Sequence, residues 1–162
     1  MKHIVVVNAT TKIHTVTMSN EPSPDTIVAW TRLFRGYKLL LEQTESDLKE
    51  AKLPQLSWYD VLWEVQSAPD HRIRQYELGQ RVLLPKYNLS RLLDRLQKEG
   101  LLQREACPED KRGAIIALTA KGRGLLKRMW KSYSGTILER FECRLSRTEI
   151  NTFSKILEKL VD

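Results

Sequence analysis

Cysteine is scarce. The chain has two, Cys107 and Cys143, too few for a disulfide framework, so a reducing compartment is the default expectation. Histidine is nearly as sparse: His3, His14 and His71 stand far apart. No Cys/His cluster has metal-ligand spacing, no Ser-His-Asp set can be assembled, and no glycine-rich loop of the phosphate-cradling kind occurs. The expectation is therefore a non-enzymatic chain without metal or cofactor. Long apolar runs are missing too. Without about eighteen consecutive apolar residues, no helix is expected to span a membrane. The opening Met1-Lys-His-Ile-Val-Val-Val7 has neither the apolar length nor the small-residue cleavage site of a secretory signal, so a cytoplasmic protein is expected.

What is present is core-forming residues and positive charge. Apolar residues make up 41% of 162, enough for one domain with a sizeable core. The net charge of +7 is unevenly distributed. Residues 72–128 hold 14 Lys/Arg against 6 Asp/Glu, residues 1–71 hold 7 against 9, and residues 129–162 hold 6 against 5. Phosphate backbones attract a basic segment of this kind, because each neutralised phosphate releases condensed counterions. A solvated basic face explains the charge equally well, so the motifs must decide.

Residues 1–24 form an N-terminal extension to which the sequence assigns no role. β-branched stretches occupy Ile4–Val7 and Ile13–Met18, Met18 is a second candidate start, and Pro22 and Pro24 break any regular element. A long helix follows, with Asp25 as its expected cap and an apolar stripe of Ile27, Trp30, Phe34, Tyr37, Leu41 and Leu48. Pro54 ends it. Ser57, with Asp60 three residues on, approaches a capping box and opens a second helix with an inner face of Val61, Leu62 and Val65. Ala68-Pro69-Asp70 closes that helix. A short helix over about 75–82 comes next, then a break at Leu83-Leu84-Pro85, and a fourth helix runs to Glu99 with Gly100 as its stop. Two short apolar runs, 101–104 and 114–118, flank the turn residues Cys107-Pro-Glu-Asp-Lys-Arg-Gly113 and predict a hairpin with a charged tip. Thr119 caps a fifth helix, and the capping box Ser146-Arg-Thr-Glu149 starts a sixth.

Two helices joined by a tight turn and followed by a basic-tipped hairpin have the order of a winged helix-turn-helix. The major groove admits one α-helix, whose first turns reach base edges. In the fourth helix Leu89, Leu92, Leu93 and Leu96 make the inner stripe. Lys86, Tyr87, Asn88, Ser90, Arg91 and Arg95 are left on or near the outer face. Asn and Arg pair bidentately with adenine and guanine edges, although a solvated helix can carry part of such a set.

At these residues the chain resembles a known family. Asn88-Leu-Ser-Arg-Leu-Leu-Asp-Arg-Leu-Gln-Lys-Glu-Gly-Leu-Leu-Gln-Arg104 is similar to the recognition helix and first wing strand of MarR regulators. Asp110-Lys-Arg112 matches that family's wing signature, and Leu118-Thr-Ala-Lys-Gly122 matches the start of its next helix. The resemblance implies one winged helix-turn-helix domain over residues 25–162, mainly α with a small β wing. Residues 25–53 and 119–162 would be dimerisation helices and 57–118 the DNA-binding module. It implies that Arg112, with Lys111 beside it, enters the minor groove, while Asp110 orients the wing tip. Asn88, Ser90 and Arg91 would face the major groove, and Arg95 a phosphate. Pro85-Lys86-Tyr87 departs from the family, which favours small hydroxyl residues there, and so leaves the bases read and the depth of docking open.

The first, fifth and sixth helices carry more apolar surface than one small module covers, and the resemblance implies that they interleave in a homodimer. Such a dimer presents two recognition helices to double-stranded DNA and calls for a pseudo-palindromic operator. The resemblance also implies a small aromatic effector that releases the DNA, for which Trp30, Tyr37 and Trp58 are the expected lining. Cys107, beside Arg104 and Lys111, has the positive neighbours that favour a thiolate. Redox-sensing members of the family, however, carry their cysteine near the first helix, where this chain has none. The function expected is a DNA-binding transcriptional regulator, taken as a repressor. A sequence-neutral duplex binder and a winged-helix protein-interaction module stay open as alternatives.

Overall fold

The computed structural model describes residues 21–82, 86–107 and 113–161, with Lys86 and Tyr87 described by their backbone alone. The chain divides into two compact units, Met1–Leu39 and Leu40–Asp162. The elements run α1 (Pro24–Glu50), α2 (Leu56–Ser67), a 3-10 turn (Pro69–His71), β1 (Arg72–Arg74) and α3 (Gln75–Arg81). After these come α4 (Lys86–Lys98), β2 (Leu102–Ala106), β3 (Ala114–Leu118), α5 (Ala120–Arg140), a second 3-10 turn (Glu142–Arg144) and α6 (Arg147–Val161). The expected mainly helical chain with a small β wing is borne out. Among the described residues no helix is long and apolar enough to cross a membrane.

In the first unit, α1 is capped two residues earlier than expected. Ser23, not Asp25, supplies the cap: its Oγ accepts from the Thr26 N–H at 3.2 Å. Pro24 then occupies the first helical position, where its missing N–H is harmless, and Asp25 falls in the first turn, where a carboxylate complements the helix dipole. Trp30 and Phe34, one turn apart, pair at 4.8 Å between ring centroids. Ile27, Trp30, Phe34 and Tyr37 are all more than half exposed.

The second unit holds the core. Leu48, Val61, Leu62, Val65, Leu78, Leu93, Leu96, Leu102, Ile116 and Met129 are almost fully buried. The start of α2 is also corrected. It begins at Leu56, and its N-cap residue Gln55 makes no side-chain cap. Glu45, eleven residues back in α1, supplies the acceptor instead: its Oε1 accepts from the Leu56 N–H at 3.0 Å. A partner supplied by another helix leaves no local sequence signature. The last turns of α1 are tied to α5 by Asp47, whose carboxylate accepts from the Thr136 hydroxyl at 2.7 Å and lies 3.5 Å from Arg140.

The wing has one more strand than the predicted hairpin, with order β1-β3-β2, all antiparallel. Ile73, buried in β1, sits opposite Ile116. Arg72 on β1 and Glu105 on β2 form an ion pair, although β3 lies between their strands. At the open end, the Cys107 N–H reaches the Gly113 carbonyl at 3.3 Å.

The junction of α4, β2 and α5 is the tightest in the unit. Gly100 adopts φ +68°, the left-handed conformation that ends α4 at low steric cost. Thr119 Oγ1 lies 2.8 Å from the Gly100 carbonyl and 3.0 Å from that of Leu101, and accepts from the Gly122 N–H at 3.0 Å. The predicted cap is thus confirmed, and the same hydroxyl also binds the carbonyls that follow α4. Lys121 Nζ donates to the Glu99 carbonyl at 2.6 Å, placing positive charge at the α4 C-terminus. Glycine is required at 122: a Cβ there would stand 2.2 Å from the Leu101 carbonyl oxygen. The predicted box at α6 also forms, with Ser146 N–H and Oγ on Glu149 Oε2 at 2.8 and 2.7 Å. The two bonds from Ser146, hydroxyl first, hold the Glu149 carboxyl below its usual range.

Asp60 sits where α2 faces Glu45. Partial burial, then the charges of Glu45 and Glu64, push its carboxyl above the ordinary range. The folded state therefore holds this proton more tightly than the unfolded chain does. Stability is lost as pH rises from about 4 through the raised value. Asp60→Asn is expected to raise stability at pH 7, by little because the side chain keeps contact with solvent, and to flatten the loss above pH 4. Urea unfolding at several pH values measures both. Gly122→Ala, which must displace backbone, is expected to cost roughly 2–4 kcal/mol. Gly135→Ala, whose Cβ meets nothing within 4 Å, should stabilise by about 0.5–1 kcal/mol. Urea midpoints of the two variants test the contrast.

Candidate nucleic-acid interface

The outer face of α4 is set by what its inner face buries. Leu89, Leu93 and Leu96, three or four residues apart, are at most 3% exposed. Leu92, the fourth residue of the expected stripe, is only half-buried against the core. Helical geometry then turns Asn88, Ser90, Arg91 and Arg95 outward, and all four are exposed. They do not form one patch. Asn88, Arg91 and Arg95 line a groove of about 240 Å³ whose other wall is Gln55, Ser57 and Trp58 at the start of α2. Ser90 lies on the opposite flank. There, Gln75 and Tyr76 of α3 and Cys107 and Gly113 at the wing base border a cleft of about 670 Å³.

Three acidic residues near this face are held by arginines. Asp94, on the exposed side of α4, is 2.5 Å from Arg104 of β2, and Glu105 is held by Arg72. Glu64 lies 4.0 Å from Arg81. Arg95 and Lys98, exposed in the last turns of α4, have no ion pair among the described residues. On α4 itself the exposed cations Arg91, Arg95 and Lys98 thus outnumber the one carboxylate, Asp94, which Arg104 holds.

Several expected residues lie outside the described part of the chain. These are the wing tip with Asp110, Lys111 and Arg112, and the side chains of Lys86 and Tyr87. Of the aromatic trio expected to line an effector crevice, Trp30 and Tyr37 are exposed on the first unit. Trp58 belongs to the second, half-buried beside the groove with Arg91. Cys107 is buried, and the Arg104 guanidinium is engaged by Asp94 and Gln97. Gln55, Ser57, Gln75 and Tyr76 were missed by sequence reasoning. Their types are ordinary for helix starts, and only the fold places them beside α4.

A second cluster also went unread. Tyr59 of α2 stacks near-parallel with Trp63 and with Trp130 of α5, at 6.1 and 6.2 Å, and meets Tyr133 edge-on at 5.2 Å. Both tryptophans are about half exposed. Burial, followed by the proximity of Tyr133 and Asp60, raises the Tyr59 phenol above its usual range, and burial and Asp60 do the same for Tyr133. Both phenols are therefore neutral donors at physiological pH.

Residues 53–113, from the end of the α1–α2 connection to the wing, match the model of the MarR family. Among solved structures the chain is similar to Sco3205, a MarR family transcriptional regulator from Streptomyces coelicolor in complex with DNA. The identity is 23% and the TM-score 0.81, over 88% of this chain and 89% of that one. It is similar to a point mutant of MarR from E. coli complexed with operator DNA, at 22% identity and TM-score 0.73, over 88% and 100% of the two chains. It is also similar to Bordetella bronchiseptica BpsR, whose DNA binding is regulated by 6-hydroxynicotinic acid, at 19% identity and TM-score 0.75, over 88% and 99%. At these identities the likenesses establish the fold. The segment 53–113, from the start of α2 through the recognition-helix position to the base of the wing, is thus what the chain shares in sequence with the MarR family of transcriptional regulators, within a winged-helix fold common to all three structures.

Proposed function

We propose that the chain is a sequence-specific repressor that binds a pseudo-palindromic operator as a homodimer, with α4 in the major groove and the wing in the minor groove. One observation carries this reading: the exposed side of α4 presents Asn88, Arg91 and Arg95 along one flank and Ser90 on the other, while Asp94 and Glu105 are held in ion pairs. Asn88 and Arg91 have the donors and acceptors that read base edges. Arg95, nearer the helix end, takes a phosphate. Arg112 enters the minor groove, with Lys111 adding charge and Asp110 orienting the tip.

The homodimer is supported by apolar surface within the second unit. Along α6, Phe153, Ile156, Leu160 and Val161 are between 38% and 82% exposed, more than an isolated helix face leaves to water without a partner. Two copies related by a two-fold axis set their recognition helices about 34 Å apart, one duplex turn. A small aromatic effector that loosens this complex belongs to the same reading. BpsR, regulated by 6-hydroxynicotinic acid, supports that chemistry.

Selection from random duplexes is expected to recover a pseudo-palindrome. Arg91→Ala should then cost about 1–3 kcal/mol of operator affinity and relax preference at one position of each half-site. Arg95→Ala should weaken operator and random duplex alike and lower the salt slope by about one. Binding that is salt-sensitive but indifferent to sequence would make the chain a general duplex binder. Sedimentation should find a dimer that Ile156→Glu converts to monomer, with loss of operator binding; a wild-type monomer would remove the two-fold reading. Aromatic carboxylic acids added to the operator complex should release the DNA if the effector belongs to this class.

A further inference from the structure

Arg104 makes contacts that its own strand does not need. In β2 it sits opposite Ile116 of β3, yet its side chain turns away from the sheet's partners to α4. One terminal nitrogen lies 2.5 Å from Asp94 Oδ1 and 3.2 Å from Gln97 Oε1. Asp94 and Gln97 are three residues apart, so both lie on the wing-side flank of the helix. The Arg104 side chain is only 27% exposed, that of Asp94 65%, and the Arg104 Nε is buried without a hydrogen-bond partner. A buried unpaired N–H is unfavourable. The guanidinium is therefore held there by the two contacts it makes, not by a cage fitted to it.

We propose that Arg104 is a positioning residue for the recognition helix: by tying Asp94 and Gln97 to β2 it sets the roll of α4 about its own axis. Leu89, Leu93 and Leu96 fasten the helix along one line, and the Gly100–Thr119 junction fastens its end. A cylinder seated on one stripe and pinned at one end can still roll, and the Arg104 contact lies off that stripe. Arg91 and Arg95 flank Asp94 in sequence, so a roll displaces both. The contact has a second effect. Asp94 is the carboxylate on the face meant for phosphates, and Arg104 neutralises it from behind without occupying that face. This inference rests on the proposed reading of α4 as a DNA-reading helix.

The test measures binding of wild type, Arg104→Ala, Asp94→Ala and the double variant to the selected operator and to a random duplex, at several salt concentrations. Thermal melting checks each fold. Asp94, largely exposed, can be replaced without disturbing the core, so it breaks the pair even if the Arg104 variant folds poorly. Each single variant is expected to lose operator affinity about tenfold, and the double variant no more than either one. Random-duplex affinity should not fall, and the salt slope should not drop. The proposal is overturned if folded Asp94→Ala keeps operator affinity within about twofold, or if the single losses add in the double variant. It is also overturned if Arg104→Ala weakens both duplexes equally with a shallower salt slope, the signature of a direct phosphate contact. A wild-type chain that binds operator no better than random duplex removes the DNA reading itself, and this role with it. Discrimination by wild type that every variant retains removes only the role.

Discussion

The arrangement of the second unit depends on one hydroxyl and one missing side chain. The Thr119 hydroxyl joins the last carbonyls after α4 to the first N–H groups of α5, and Gly122 lets the two backbones approach within a distance that no Cβ tolerates. Three elements meet there: α4 ends, β2 begins and α5, the longest helix of the second unit, starts. Separate capping of α4 and α5 would satisfy their backbone groups equally well but leave their relative angle to loose side-chain packing. Sharing one donor-acceptor group between both ends removes that freedom. The Lys121 ammonium adds to it by lying on the carbonyl end of α4.

Charge is arranged on the same principle. Within the basic segment 72–128 the fold pairs two of the described acids, Asp94 and Glu105, with arginines of other elements, and Glu64 of α2 with a third. Arg72 reaches over β3 to Glu105, Arg104 reaches from β2 to Asp94, and Arg81 of α3 faces Glu64 of α2. Each exposed pair contributes little to stability in water. Their larger effect is electrostatic: the pairs leave the exposed side of α4 with a net positive potential rather than a mixture of signs.

What the sequence reveals and what it hides divide along the reach of each interaction. Thr119 and the Ser146–Glu149 box are caps made within three residues, and both were legible. The outward face of α4 was legible as well, because Leu89, Leu93 and Leu96 mark the opposite side. Gln55 and Glu45 show the other case. The cap of α2 comes from a helix eleven residues upstream, and the local pattern Ser57-Asp60 pointed to the wrong start. β1 was missed because three residues with one apolar side chain carry no period, and the strand exists only because β3 offers Ile116. At α1 the expected cap, Asp25, was wrong, because Pro24 takes the first helical position and leaves the cap to Ser23. Arg104 was read as a neighbour of Cys107 because they are close in sequence, whereas its side chain answers to Asp94, ten residues away. The division of α4's outer face into an α2 flank and a wing flank was illegible for the same reason.

The junction at Thr119 and Gly122 also has a mechanical consequence. From that point α5 extends 21 residues, roughly 32 Å of nearly rigid rod at 1.5 Å per residue. A rotation of about 5° at the pivot sweeps its far end through about 3 Å, the width of a side chain. The relation works in both directions. Anything that displaces the distal turns of α5, around Thr136 and Arg140, by that small distance is geared down into a few degrees at β2 and α4. Conversely, a rotation of a few degrees imposed on α4 is geared up into a shift of a side chain's width at the distal turns. A fold with a looser hinge would absorb such motions instead of transmitting them.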